Sequence, residues 1–270
     1  MKTVSNFREA AYDGARHGAP CRKGGKTLRY VLKYGGTSVA DAKRLYAAAR
    51  TMAALHREGH EVVAVLSAQG ASTDALIAKA REIDPDCGGR ELDQLLSTGE
   101  ICSVSLCAMA LQRLGMQAVS LCGWQAGLLT ESVHGSARVL GLRSERIARE
   151  LERGRIVLVA GFQGIDAEGD VTTLGRGGSD TTAVALAALL HADCCRIYTD
   201  VDGVYTADPR KYPSAIKYDT MTYDEMLTLA RGGAQVLHDR CVELARQKNV
   251  VIEVRSAFHA GTGTVVGGKG

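Results

Sequence analysis

No stretch of this sequence approaches the roughly 20 apolar residues that a membrane span needs, and no block of one charge dominates it. Basic side chains exceed acidic ones by three, for a formal net charge of +3. That excess is too small to argue for a nucleic-acid partner, and no basic stripe supplements it. The N-terminal segment MKTVSNFREAAYDGARHGAP lacks the apolar core of a secretory signal. A loose extension over 1–27 is expected, with a transit peptide as the second reading and the cytoplasm as the location. None of the eight cysteines forms a CxxC pair. Cys102, Cys107 and Cys122 lie among apolar residues, and Cys194 and Cys195 enter a strand-like run, so buried free thiols are expected. His56 and His60 stand four apart without a third ligand, so no metal site is expected. No linker, repeat or low-complexity tract interrupts the chain, which reads as one continuous domain.

What is present is an alternation of short apolar β-branched runs with longer amphipathic or Ala-rich segments. Strands are expected at 28–33, 61–67, 117–121, 155–160, 195–199 and 250–255. Helices are expected from Ala40 to about Arg57, over 92–114, from Ser144 to about Arg153, from Gly178 to about His191, near 222–231 and over 234–248. A hairpin is expected around Asp166–Asp170. Repeated β-loop-α units imply a mainly parallel sheet covered on both faces. Such sheets bind ligands beyond the carboxyl ends of their strands, where this chain places its Gly- and Ser-rich segments.

Four of those segments could carry chemistry. Gly24-Gly25-Lys26-Thr27 is not among them: Pro20 stands where a P-loop's first glycine would, and a strand rather than a helix follows. No GxGxxG follows a strand. In Lys33-Tyr34-Gly35-Gly36-Thr37-Ser38, a strand delivers a lysine, two glycines admit close backbone approach, and Thr-Ser is expected to cap a helix. That pattern suits a phosphoryl group, although an ordinary strand-to-helix turn also fits it. In Gly175-Arg176-Gly177-Gly178-Ser179-Asp180, an arginine suited to two-point carboxylate binding sits among glycines. Asp180 there could pair an amine, orient a lysine or simply favour the helix start. Thr199-Asp200-Val201-Asp202-Gly203-Val204-Tyr205, with Asp208-Pro209-Arg210 after it, offers either paired acids or a turn. Glu100 reads as part of a small-residue loop, Ser97-Thr98-Gly99-Glu100.

Together these segments resemble the aspartate kinase branch of the amino-acid kinase family. KYGGTSV at 33–39 matches its opening signature, with Tyr34 where phenylalanine is usual. STGE, LCGWQAG and HGSAR between Ser97 and Arg138 resemble the same branch, as do TLGRGGSDTTAVALA and TDVDGVYTADPR. The resemblance covers about Leu28 to Val266. It implies a three-layer α/β/α sandwich with a central, mainly parallel sheet over 28–270. It also implies transfer of the ATP γ-phosphate to the side-chain carboxylate of L-aspartate, giving 4-phospho-L-aspartate, as in the first step of aspartate-family amino-acid biosynthesis. Carried over by motif, Lys33, Gly35 and Gly36 face the transferring phosphate, with Lys33 and Asp180 catalytic. Thr73, Glu100, Arg176 and Ser179 bind aspartate, and Thr199, Asp200, Tyr205 and Arg210 hold the nucleotide. ATP with Mg²⁺ is the cofactor, with no metal ligands from the protein, and a homodimer is the default assembly.

Two departures qualify the resemblance. The family usually reads GAKVLHP where this sequence has Gly233-Ala234-Gln235-Val236-Leu237-His238-Asp239, so Gln235 removes a charge near the phosphates. The paired ACT domains that usually follow are not expected here, which leaves an unregulated enzyme, a separate ACT-containing regulatory chain or a truncated sequence. A sister kinase for another acidic substrate and a non-catalytic regulatory paralogue are the rival readings.

Overall fold

The computed structural model describes residues 26–209, 211–234 and 236–267. The expected N-terminal extension lies almost wholly outside the described residues, as do Gly24 and Gly25 of the rejected P-loop, Arg210 and Gln235. Among the described residues the first elements are β1 (Arg29–Tyr34), a short 3-10 turn at Gly36–Val39, and α1 (Ala42–Arg57). Next come β2 (Glu61–Leu66), α2 (Ser72–Ile83) and α3 (Gly89–Arg113). They lead to β3 (Ala118–Leu121), α4 (Gly123–Ala126), β4 (Leu128–Thr130) and β5 (Val139–Leu142). The middle of the chain is α5 (Glu145–Glu152), β6 (Ile156–Ala160), β7 (Gln163–Ile165), β8 (Val171–Thr173) and α6 (Gly178–Leu189). Last are β9 (Cys194–Thr199), β10 (Thr220–Met221), α7 (Tyr223–Arg231), α8 (Asp239–Lys248), β11 (Ile252–Ser256) and β12 (Thr264–Val266).

Eight strands form one sheet in the order β10-β12-β11-β9-β1-β2-β6-β3. Every pairing in it is parallel except that of β12 with β11. Because side chains alternate along a strand, the sheet feeds two separate cores. Val31, Val63, Val65, Val157, Val159 and Ile197 pack against Val184 and Leu186 of α6 and Val242 of α8. Tyr30, Leu32, Tyr34, Val62, Ala64 and Leu158 point the other way, onto Met52 of α1 and Val104 and Leu111 of α3. Strands buried on both faces read as continuous apolar runs, which is why RYVLKY and EVVAVL carry no polar alternation. Truncating one of these, Leu158→Ala for example, costs about 2–5 kcal/mol. The result is the expected three-layer α/β/α arrangement.

A second sheet, β5-β4-β7-β8, takes β4 and β5 from before β6 in the chain and β7 and β8 from after it, and only its β7–β8 hairpin was legible in advance. Its β7–β8 pair is the expected hairpin, closed by Asp166, whose Oδ1 accepts from the Glu168 and Asp170 amides at 3.0 and 2.9 Å. Other details differ from expectation. Helix α3 is long and apolar enough by composition to cross a membrane, yet over half of its apolar window is buried in the protein. The STGE segment lies inside this helix and not in a loop before it. Thr37-Ser38 does not cap α1: that role falls to Asp41, whose carboxylate accepts from the Arg44 amide at 2.9 Å. Helix α2 had no counterpart among the expected helices. Cys87, Cys102, Cys107, Cys122, Cys195 and Cys241 are free thiols, whereas Cys194 is disulfide-bonded. Burial pushes the Cys107 and Cys195 thiols up to about 12, the behaviour of packing groups rather than nucleophiles.

Candidate active site

Parallel register puts the carboxyl ends of the central strands in one line. Tyr34 of β1 is level with Leu66 of β2 and Tyr198 of β9, Leu66 with Ala160 of β6, and Thr199 with Ser256 of β11. Gly35-Gly36, Ala68, Gly161-Phe162 and Thr199-Asp200 therefore emerge side by side at one edge. The backbones there approach very closely. A Cβ on Gly36 would stand 2.6 Å from the Ala68 carbonyl oxygen, and the Gly70 amide donates to Gly36 O at 3.1 Å. No side chain other than hydrogen fits that contact.

At this edge Lys33 and Asp180 meet. Lys33 Nζ lies 2.7 Å from Asp180 Oδ1, with each side chain about one-eighth exposed. Lys33 ends the β1 face that looks toward α6, and Asp180 stands in the first turn of that helix. The amine curls back over Gly35, where an added Cβ would be 3.3 Å from Nζ. The carboxylate thus fixes a cation at the strand mouth, largely shielded from water.

Glu100 approaches from the opposite layer. It projects from α3 and is buried, its Oε1 accepting the Ala68 amide at 3.0 Å while Oε2 has no hydrogen-bond partner. Desolvation raises its pKa to about 7, with the Ala68 amide only partly offsetting the loss of water. The helix comes close because Gly99 faces Ala68, whose Cβ would be 2.9 Å from a Cβ at position 99. Ser179 is buried against Gly161, where a Cβ would fall 2.7 Å from the serine Oγ. Thr73 is half-buried in the first turn of α2, three residues after Gly70. Arg176 is exposed and makes no hydrogen bond or ion pair among the described residues.

On the far side of β1, Thr199 Oγ1 donates to Asp200 Oδ1 at 3.0 Å and accepts from the Val201 amide at 3.4 Å. The Tyr205 hydroxyl donates to Asp202 Oδ1 at 2.8 Å, and Lys217 Nζ lies 3.5 Å from Asp202 Oδ2. The Tyr205 hydrogen bond, ahead of Lys217, holds the Asp202 carboxyl below its usual range. Asp202, one of the paired acids of this segment, is thus committed with Lys217, which the sequence did not single out, to the loop's framework. Arg210 lies outside the described residues. No cluster of three or more His, Cys, Asp or Glu side chains is arranged to hold a metal ion among the described residues.

Other residues also escaped sequence reading. Phe162, just past Gly161, adopts φ +71°, a left-handed conformation that is rare for a bulky residue and is held here by tertiary bonds. Its amide donates to Thr182 Oγ1 at 3.1 Å and its carbonyl accepts from the Leu174 amide at 2.8 Å. Gln163 is fully buried and donates to Ser97 O at 2.8 Å, tying β7 to α3. Asp93 is 1% exposed; the one available signal was an acid two helical turns before Glu100.

Residues 29–256 match the model of the amino acid kinase family. This chain belongs to the amino acid kinase family. Among relatives in that family, Aspartokinase 2 of Bacillus subtilis is 52% identical over 236 residues, 87% of this chain and 58% of its own length. The aspartate kinase structure from Synechocystis superposes with a TM-score of 0.80 at 43% identity, over 89% of this chain and 40% of that one. Aspartokinase III of E. coli, solved in complex with aspartate and ADP, gives 0.81 at 28% identity, covering 89% of this chain and 65% of that one. The chain therefore spans a little over half the length of the curated relatives it matches. The fold that the amino-acid kinase resemblance implied is the fold these structures share.

Proposed function

We propose that this chain carries out the phosphoryl transfer of an aspartate kinase: the γ-phosphate of ATP passes to the side-chain carboxylate of L-aspartate, giving ADP and 4-phospho-L-aspartate. The observation that carries the reading is the Lys33–Asp180 pair at 2.7 Å beneath Gly35-Gly36, with buried Glu100 and unpaired Arg176 at the same edge. Similarity to a protein solved with aspartate and ADP supports it.

The chemistry asks little covalent work of the protein. A side-chain carboxyl with an unperturbed pKa of about 3.9 is already ionised at neutral pH, so no general base is needed. The difficulty is to hold two anions in line and to neutralise charge on the phosphoryl oxygens. Lys33, kept in place by Asp180, supplies the mobile cation, and the Gly35-Gly36 backbone lets the phosphate come close. Arg176 has an uncommitted guanidinium for the acceptor's α-carboxylate. Ser179 and Thr73 are hydroxyl donors on the same side, and Glu100 has one carboxylate oxygen free for the α-ammonium group. Thr199, Asp200, Tyr205 and Arg210 would border the nucleotide. Magnesium enters with ATP as part of that substrate. A homodimer, a cytoplasmic setting and a role in lysine, threonine and methionine biosynthesis belong to the same proposal.

The deciding experiment measures ADP release with Mg-ATP and L-aspartate and traps the acyl phosphate with hydroxylamine, with L-glutamate and Lys33→Ala alongside. Aspartate-dependent hydroxamate that disappears in the variant is expected. ATP binding without turnover on aspartate would overturn the reading in favour of a non-catalytic paralogue or another acidic acceptor.

A further inference from the structure

Arg176 presents a problem of positioning. Its guanidinium has no partner among the described residues, so nothing but its backbone determines where the group can reach. That backbone is tightly defined. Gly175 and Gly177 on either side have φ of +73° and +71°, and neither has room for a side chain: a Cβ on Gly175 would be 2.8 Å from Gly135 O, and one on Gly177 would be 2.4 Å from His238 Cβ.

Two charged side chains from opposite layers grip the segments that lead into this loop. Asp93, from α3, accepts from the Gly135 amide (2.9 Å to Oδ2, 3.1 Å to Oδ1), from the Thr173 amide at 2.8 Å and from the Thr173 hydroxyl at 2.7 Å, and it bonds His134 Nδ1 at 3.2 Å. Arg240, from α8, donates to Leu174 O at 2.8 Å, Ala137 O at 3.3 Å and Ser136 O at 3.4 Å. The Ala137 amide closes the set by donating to Thr173 O at 2.9 Å. One group collects donors and the other acceptors from the same two stretches, 134–137 and 173–174. A buried carboxylate committed to so many hydrogen bonds is costly to remove and rigid while it lasts.

We propose that Asp93 and Arg240 form a two-sided brace that positions Arg176 for the acceptor's carboxylate, so that both act on acceptor binding without touching the acceptor. The inference rests on the phosphoryl-transfer reading for its substrate and on the hydrogen bonds above for its geometry. Asp93 lies on the same helix as Glu100, two turns earlier, so the brace also sets the distance between Arg176 and Glu100.

The test places Asp93→Asn and Arg240→Lys in wild-type and Arg176→Ala backgrounds, measuring KM for aspartate, KM for ATP, kcat and amide hydrogen exchange. Asn at 93 turns an acceptor into a donor facing donors; Lys at 240 cannot span three carbonyls. Each is expected to raise aspartate KM roughly tenfold or more, to leave ATP KM within about twofold, and to speed exchange at 173–177. In the Arg176→Ala background the KM effect should vanish, since the group being positioned is gone; a merely structural role would persist there. The brace is overturned by unchanged aspartate KM in a folded variant, by equal losses for both substrates, or by full additivity with Arg176→Ala. Should Asp93→Asn not fold, Arg240→Lys decides alone. Should the wild-type protein not use aspartate, the catalytic reading falls separately, and unaccelerated exchange at 173–177 overturns the brace.

Discussion

Replacing Glu100 by glutamine should make the protein more stable relative to wild type as pH rises, and the size of the effect follows from burial. Desolvation raises the Glu100 pKa from 4.5 to about 7. Between those values the folded state binds more protons than the unfolded chain, so the wild type loses stability as pH increases and is most stabilised by this group below the unfolded value. A shift of that size amounts to about 3 kcal/mol, most of which falls between about pH 5 and about pH 8.5. Glutamine keeps the acceptor for the Ala68 amide at Oε1 but never ionises. Its buried amide nitrogen adds a fixed cost of about 1–3 kcal/mol because Oε2 has no partner to offer. That cost does not vary with pH, so the difference between two pH values isolates the ionisation. Urea unfolding of wild type and Glu100→Gln at the two pH values measures it. A stability gap that stays constant with pH, or that moves against glutamine as pH rises, would refute the argument. The same ionisation bears on binding: affinity for aspartate should rise as pH passes through about 7, because only ionised Glu100 pairs with an ammonium group. A flat aspartate KM from pH 6 to 8 would break that link.

Three further outcomes follow. Gly36→Ala pushes a methyl to within 2.6 Å of the Ala68 carbonyl; the variant should lose about 1–3 kcal/mol in chemical denaturation and bind ATP more weakly by calorimetry. Lys33→Met leaves the Asp180 carboxylate facing the transferring phosphate, so kcat should fall by about 100-fold or more, while near-native kcat in single-turnover assays would contradict the role of Lys33. Gln235→Lys adds the positive charge that the family resemblance implies at this position and should lower ATP KM; an unchanged value would show that a charge at 235 does not act on the nucleotide.

The sequence was most readable where one physical requirement acted locally. The runs RYVLKY, EVVAVL and RIVLVA, short and rich in β-branched residues, read as strands covered on both faces, and the three-layer arrangement agrees with their alternation with helices. Lys33 and Asp180 were legible as separate motifs, 147 positions apart by their numbering, but their contact depends on α6 lying over β1, which no local pattern encodes. The four-stranded sheet escaped notice because β4, β7 and β8 have three residues each, too few for periodicity to register. Glu100 reads as a loop residue because Ser, Thr and Gly punctuate the sequence there. In the fold, Gly99 serves close packing against Ala68, and the helix runs through. Asp93 was hard to single out for the opposite reason: an acid on a helix ordinarily faces water, and only the tertiary fold brings Gly135 and Thr173 to it.

The parity of β1 has a consequence for how such a chain can change over generations. Lys33 occupies the same face of the strand as Val31, toward α6, while Leu32 and Tyr34 serve the opposite core. Deleting a single codon within 29–32 would exchange the two faces beyond that point, sending the lysine into the apolar layer lined by Met52 and Leu111 and a tyrosine toward Asp180. Length variation among descendants should therefore accumulate in connections such as 84–88 and 257–263, while β1 admits substitutions but not insertions or deletions.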